Sequence, residues 1–242
     1  MMGRILSADR LKAKRTWIGI LVVLGPLGVI SLQAVNYGLR YDFLVTPGSD
    51  VWGDLVRNIH QILVPTLLLG ITLLASMLAG LEHQAQAWKL MFALPVSKVH
   101  AYVGKFLRLA VLLLISASLA GIGTVLLGVS LGFGPEIPWV MTLGEGYFPY
   151  LAAFPVMALQ FWVSMLVRNQ AFPMTLGIIG VMMSTSLSFN TSLDWVPWAY
   201  PVLAAPLEAG RYNPEKWIAV GLVVGVVVLW IGALHFAKRD VK

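Results

Sequence analysis

The sequence predicts an all-α integral membrane protein, one domain over residues 1–242 with six membrane-spanning helices, and three observations carry that prediction. Hydrophobic residues make up 58% of the chain and charged residues only 12%, against roughly 45–50% and 25% in a soluble domain. Six stretches approach the about 20 apolar residues that a bilayer core requires and contain no Asp, Glu, Lys or Arg: Trp17–Val35, Ile59–Gly80, Leu109–Leu131, Phe148–Val167, Ala171–Phe189 and Trp217–Ala237. The charges between these stretches are sorted by sign, which a soluble fold has no reason to do.

Six spans place both termini on one side of the membrane. With the termini, residues 81–108 and the 168–170 turn on that side, it holds thirteen of the seventeen Lys and Arg residues and only three of the eleven acids. Basic residues mark the cytoplasmic face, so both termini are expected in the cytoplasm, with the chain in a bacterial inner membrane. The net charge of +6 is then a consequence of topology and does not call for nucleic acid.

Taken in order, residues 1–16 read as a cytoplasmic amphipathic helix. Ser7 is placed to cap it, Asp9 lies in its first turn, Leu6 and Leu11 suit a hydrophobic staple, and five basic residues by position 15 suit anionic headgroups. The first span is too long for a signal peptide and lacks a cleavage site after it. Pro26, Pro65, Pro155 and Pro173 fall inside spans and predict kinks. Gly128-x-x-x-Gly132 and Gly221-x-x-x-Gly225 suit close helix approach. Trp17, Trp52, Trp139, Trp195, Trp198 and Trp217 fall at span ends, where amphipathic rings settle. Between the last two spans, Ser192–Trp217 is apolar and aromatic but broken by four prolines, the composition of a re-entrant extracytoplasmic segment.

Between spans two and three the chain is interrupted by EHQAQAWKLMFALPVSKVHAYVGK, Glu82–Lys105. Glu82 opens a short helix that Pro95 ends, since proline disfavours helical geometry in the residue before it. Ala85, Trp88, Met91 and Phe92 form one apolar face, with Gln86 and Lys89 off it. Ser97 caps the next helix, and Lys105 and Arg108 reach the cytoplasmic surface. Such a face either rests on lipid or fills a groove on a partner.

Catalytic chemistry has no foothold in the sequence. There is no phosphate loop, no H-E-x-x-H and no G-x-S-x-G, the chain has no Cys, and its four histidines are scattered. No cofactor or metal site is expected. His60 and His235, near span ends, read as packing or interfacial residues, and Gln160, mid-span, either lines a substrate path or makes an interhelical hydrogen bond. With no carboxylate inside a span, nothing harvests an ion gradient, so energy for uphill movement has to come from another subunit.

The order of a basic amphipathic helix, six spans and the segment Glu82…Trp88-Lys89-Leu90…Leu94-Pro95-Val96-Ser97…Lys105 resembles permeases of the ABC-2 type. Within them it is similar to the small permeases of lantibiotic immunity and bacitracin resistance. The resemblance implies that Glu82, Trp88, Lys89, Leu94, Pro95 and Lys105 belong to a coupling helix pressing on a separate ATPase subunit, which binds ATP and Mg. It also implies a second permease copy or a sister permease, and an amphipathic or peptide-like cargo such as an antimicrobial peptide. The competing readings are a membrane scaffold that recruits a soluble partner through the same helix, and, less in keeping with the uncharged spans, a channel or ion-coupled carrier.

Overall fold

The computed structural model describes residues 17–46, 48–84, 97–207 and 212–238, and these are helical with no strand among them. The helices are α1 (Ile18–Leu44), α2 (Val51–Gln84), α3 (Lys98–Ser130), α4 (Trp139–Ala152), α5 (Phe154–Leu166), α6 (Ala171–Phe189), α7 (Tyr200–Leu203) and α8 (Pro214–Lys238). Five of them (α1, α2, α3, α6 and α8) are each long and apolar enough to cross a membrane, and α4 with α5, a pair bent by 46°, is so when the two are taken together. The molecule is an all-α integral membrane protein. The expected helix over 1–16 lies outside the described residues, as do Gln86, Trp88, Lys89, Met91, Phe92, Leu94 and Pro95 of the interrupting segment.

With α4 and α5 continuing in one general direction across their 46° bend, the long helices alternate in direction and give the bundle two ends. At the lower end, α2 stops at Gln84, α3 starts at Lys98, and the Trp162 indole donates to His235 at 3.3 Å, joining α5 to α8. At the upper end the Tyr41 hydroxyl donates to the Leu131 carbonyl at 3.1 Å, and the Trp52 and Phe133 rings meet edge to face at 5.7 Å. The centre belongs to α2, whose most apolar window is 61% buried, against 28–39% for the other long helices. Ile71 and Leu74 of α2 pack with Phe106 and Leu109 of α3 and Met157 and Phe161 of α5. The outer faces of α1, α3, α6 and α8 present Leu24, Leu126, Met182 and Val223 outward, as lipid contact requires.

Lipid is as apolar as these side chains, so the helices associate through close packing and interhelical hydrogen bonds. Glycine makes the closest approaches possible. A methyl group at Gly221 would lie 2.7 Å from the Ala152 carbonyl, and one at Gly225 would strike Phe154, so this pair seats α8 against the α4–α5 bend. The other pair works differently. Gly128 leaves room for the Trp52 ring, while Gly132 sits outside the helix at φ +79°. There it ends α3 as a Schellman stop, with the Gly132 amide donating to Val129 and the Phe133 amide to Gly128. Trp52 and Trp217 are accordingly buried in the bundle, whereas Trp17, Trp139 and Trp195 are exposed at helix ends.

The prolines also divide. Helices α1 and α2 continue through Pro26 and Pro65, and α1 instead departs from helical geometry at Arg40. Pro173 sits in the first turn of α6, where its missing N–H has no helical partner to lose. The sharp bend falls at Ala153, just ahead of Pro155, whose ring cannot follow an unbroken helix from α4. After α6 the chain makes two 3-10 turns, Thr191–Leu193 and Pro197–Ala199, then α7, and returns with the Asn213 amide donating to Leu203 at 3.1 Å. Ala199, Tyr200, Leu203, Ala204, Ala205 and Leu207 of this segment are buried. It packs back onto the helices, as its apolar, proline-broken composition predicts.

Candidate functional site

At the lower end, Lys105 Nζ lies 2.5 Å from Glu82 Oε1, and both side chains are only 9% exposed. Glu82 does not open a separate helix, as its position after an apolar run suggested: α2 continues through it to Gln84, which puts the acid in a last turn, where the helix dipole disfavours it and a cation is needed beside it. Lys105 provides it from two turns inside α3, buried against Glu82 rather than reaching the cytoplasmic surface as its place near a span end suggested. The helix is started by Ser97, whose hydroxyl accepts from the His100 amide at 3.3 Å. The pair therefore clasps the two helices that the 85–96 connection joins. Leu78, Phe161, Met165 and Arg108 close around it. Beside it, the His83 ring meets the Ser164 carbonyl at 3.3 Å, and the Gln170 amide donates to the carbonyls of Ser164 and Val167 at 3.1 and 2.7 Å. The end of α2 is thus also tied to the turn between α5 and α6.

Gln160 is 1% exposed, and its amide donates to the Pro173 carbonyl at 2.7 Å. This is the interhelical hydrogen bond between α5 and α6 that a mid-span glutamine invites. A cleft of about 360 Å³ lies elsewhere, between α1 and α3, lined by Val23, Pro26, Leu27, Ile30, Leu119, Gly123 and Leu126.

A third group of residues corrects the expectation that the crossing helices hold no buried carboxylate. Glu145 is fully buried in α4, whose helix starts at Trp139, well before the apolar stretch counted from Phe148. His60 of α2 faces it, with Nδ1 2.9 Å from Oε1 and 3.1 Å from Oε2. The other ring nitrogen, Nε2, is 2.9 Å from the Val202 carbonyl of α7. His60 is therefore a buried junction of three elements. The signal in the sequence was Gly144-Glu145-Gly146, one acid between glycines in an apolar run. Gly146 lets α4 approach α3 so closely that an added methyl would sit 2.2 Å from the Ala117 carbonyl. In the returning segment, burial raises the pKa of Tyr200, whose hydroxyl donates to the Trp195 carbonyl at 2.8 Å.

The profile of the family described as ABC-2 family transporter protein matches residues 5–184. The chain belongs to this family. No curated protein matches it in sequence. Membership makes it a membrane subunit of an ABC transporter, and the family implies an ABC ATPase as partner. The match spans the connection that carries Glu82–Lys105, together with α4 and α5, and ends within α6.

Proposed function

We propose that this permease is one membrane half of an ATP-driven exporter, driven through the Glu82–Leu94 segment and moving an amphipathic, peptide-like molecule outward. The observation that carries the reading is the buried Glu82–Lys105 clasp. A push on the 85–96 connection reaches α2 and α3 together, because the two helices are cross-linked at its base. Sorting of thirteen basic residues to one side supports placing that connection and both termini in the cytoplasm of a bacterial inner membrane. ATP and Mg bind to the ATPase subunit, with Trp88, Met91 and Phe92 as its docking anchors, Gln86, Lys89, Leu94 and Pro95 around them, and a second permease copy or a sister permease completing the unit. Seven acids on the outer side besides the buried Glu145, set among Trp and Tyr, suit a cationic amphipathic cargo arriving at the outer leaflet.

One experiment separates the parts of this reading. Cells expressing the permease with its ABC ATPase are challenged with a panel of cationic peptides and bacitracin-like compounds, and the complex is purified in parallel. Wild type gains tolerance and keeps its ATPase. Trp88→Ala with Phe92→Ala loses both, since interface aromatics cost about 2 kcal/mol or more each on truncation. Retention of the ATPase by the double variant overturns the docking assignment. Absence of any gain in wild type overturns the peptide cargo.

A further inference from the structure

The junction of His60, Glu145 and Val202 has a proton count that its geometry fixes. Both imidazole nitrogens face oxygen acceptors, Nδ1 the Glu145 carboxyl and Nε2 the Val202 carbonyl, each at 2.9 Å. A neutral imidazole has one N–H and one lone pair. With Glu145 ionised and His60 neutral, one nitrogen must aim a lone pair at an oxygen lone pair, and one of the two contacts fails. A single added proton removes the conflict. It sits on the imidazole, which then donates to both oxygens, or on the carboxyl, which then donates to Nδ1 while Nε2–H donates to Val202. The two forms share that proton, and both are neutral as a pair. The form without it leaves one negative charge on side chains at most 5% exposed, an arrangement that burial strongly disfavours.

We propose that His60, Glu145 and the Val202 carbonyl form a proton-binding latch, which holds the segment from α7 to Leu207 over the upper end of the bundle while the proton is bound. The surroundings fit a latch. One turn above His60 is Val56, one turn above Glu145 is Met141, and Ala205, Leu207 and Tyr212 close over them as an apolar plug. Opening the plug admits water, which accepts the proton, and the His60–Val202 bond that holds α7 is lost with it. Among the described residues, the titratable groups facing His60 are Glu145 from α4 and Tyr212 from the returning segment, whose ring meets it edge-on at 6.1 Å. Asp54 and Arg57, on its own helix, pair with each other at 2.7 Å. A second proton at low pH leaves both hydrogen bonds in place, so release occurs on the alkaline side only. The latch rests on this geometry alone and not on the identity of the cargo.

The chain has no cysteine, so a spin-label pair can be introduced cleanly at the exposed positions Trp195→Cys, whose carbonyl is held by the Tyr200 hydroxyl of α7, and Val140→Cys on α4. Distances are measured by pulsed electron resonance on the full chain in lipid nanodiscs across about pH 5 to 9, the range that spans ordinary histidine titration. The wild-type background shows one short distance at low pH and gains a longer one as pH rises. Glu145→Gln satisfies both His60 contacts without the extra proton, because the amide donates to Nδ1 while Nε2–H still donates to Val202. It therefore keeps the short distance at every pH. His60→Ala shows the longer distance at every pH. A wild-type distribution that does not change with pH, or a Glu145→Gln variant that follows the wild-type course, overturns the proposal. If Glu145→Gln does not reconstitute, His60→Gln replaces it, and a wild-type pH course in that variant overturns the proposal equally.

Discussion

The two buried acid–base pairs, one at each end of the bundle, use similar residues for different mechanical ends. At the lower end, Glu82 and Lys105 join consecutive helices on either side of a short connection. An ammonium has only donors and a carboxylate only acceptors, so this contact has one sense. At the upper end, His60 reaches Glu145 and Val202 across 85 and 142 residues of chain, and its two nitrogens exchange roles with protonation. The lower pair is a clasp that cross-links two neighbouring elements. The upper junction holds distant elements together conditionally. A fixed end and a conditional end are what a helix bundle needs if it is pushed from one side and opens at the other.

The comparison breaks most visibly at Lys105. Lys105→Met removes the cation in contact with the buried Glu82 carboxyl and leaves only Arg108 nearby among the described residues; removing one partner of a buried pair costs up to about 3–5 kcal/mol. Unfolding of the purified chain in detergent, followed by circular dichroism, shows this as a large loss, and Glu82→Leu combined with Lys105→Met restores much of it. Glu145→Gln, which leaves its partners satisfied, has little effect in the same assay. Equal losses at Lys105→Met and Glu145→Gln would mean that both ends are fixed ion pairs.

The difference between the two ends also decides what the sequence could reveal. At the lower end only the break between apolar runs framed by Glu82 and Lys105 was legible; their pairing was not, because a lysine near a span end reads as reaching for the surface rather than for an acid on the neighbouring helix. Span length likewise leads to the all-α membrane bundle, since it follows from the cost of polar groups in lipid. Glu145 was misplaced because an apolar-run count stops at the first charge, whereas a helix continues through it when a partner is waiting. That partner, His60, is 85 residues away, and no local periodicity points to it. Local patterns also mislead about glycine: Gly128 and Gly132 have motif spacing, yet one makes a notch for Trp52 and the other ends a helix.

Packing around the upper junction gives a smaller effect and a sharper contrast. Gly146→Ala pushes a methyl to 2.2 Å from the Ala117 carbonyl on α3, an atom that cannot swing away. Overpacking of this kind typically costs about 1–3 kcal/mol. Gly104→Ala, also on α3, meets nothing within 4 Å, and alanine exceeds glycine in helix propensity by up to about 1 kcal/mol. The same substitution is therefore expected to lower the melting temperature at 146 and raise it at 104. A shift of the same sign at both sites would mean that α3 and α4 are not held at this spacing.

The smallest effect belongs to Gln160, and it tests whether a polar residue in mid-bundle serves packing or passage. Its side chain is buried and its amide is spent on the Pro173 carbonyl at 2.7 Å. That carbonyl lies in the first turn of α6, so the bond fixes where α6 starts against α5. Gln160→Leu keeps the volume and removes the donor. Interhelical hydrogen bonds in membranes average about 0.6 kcal/mol, with an upper value of about 1.7, because the separated helices find other partners. The variant is accordingly expected to lose a few degrees of thermal stability or less. Its profile of transported compounds, measured as tolerance across the same peptide panel, stays as in wild type, because a side chain enclosed between α5 and α6 does not meet cargo. A changed profile at unchanged stability would place Gln160 on the path and require α5 and α6 to part during transport.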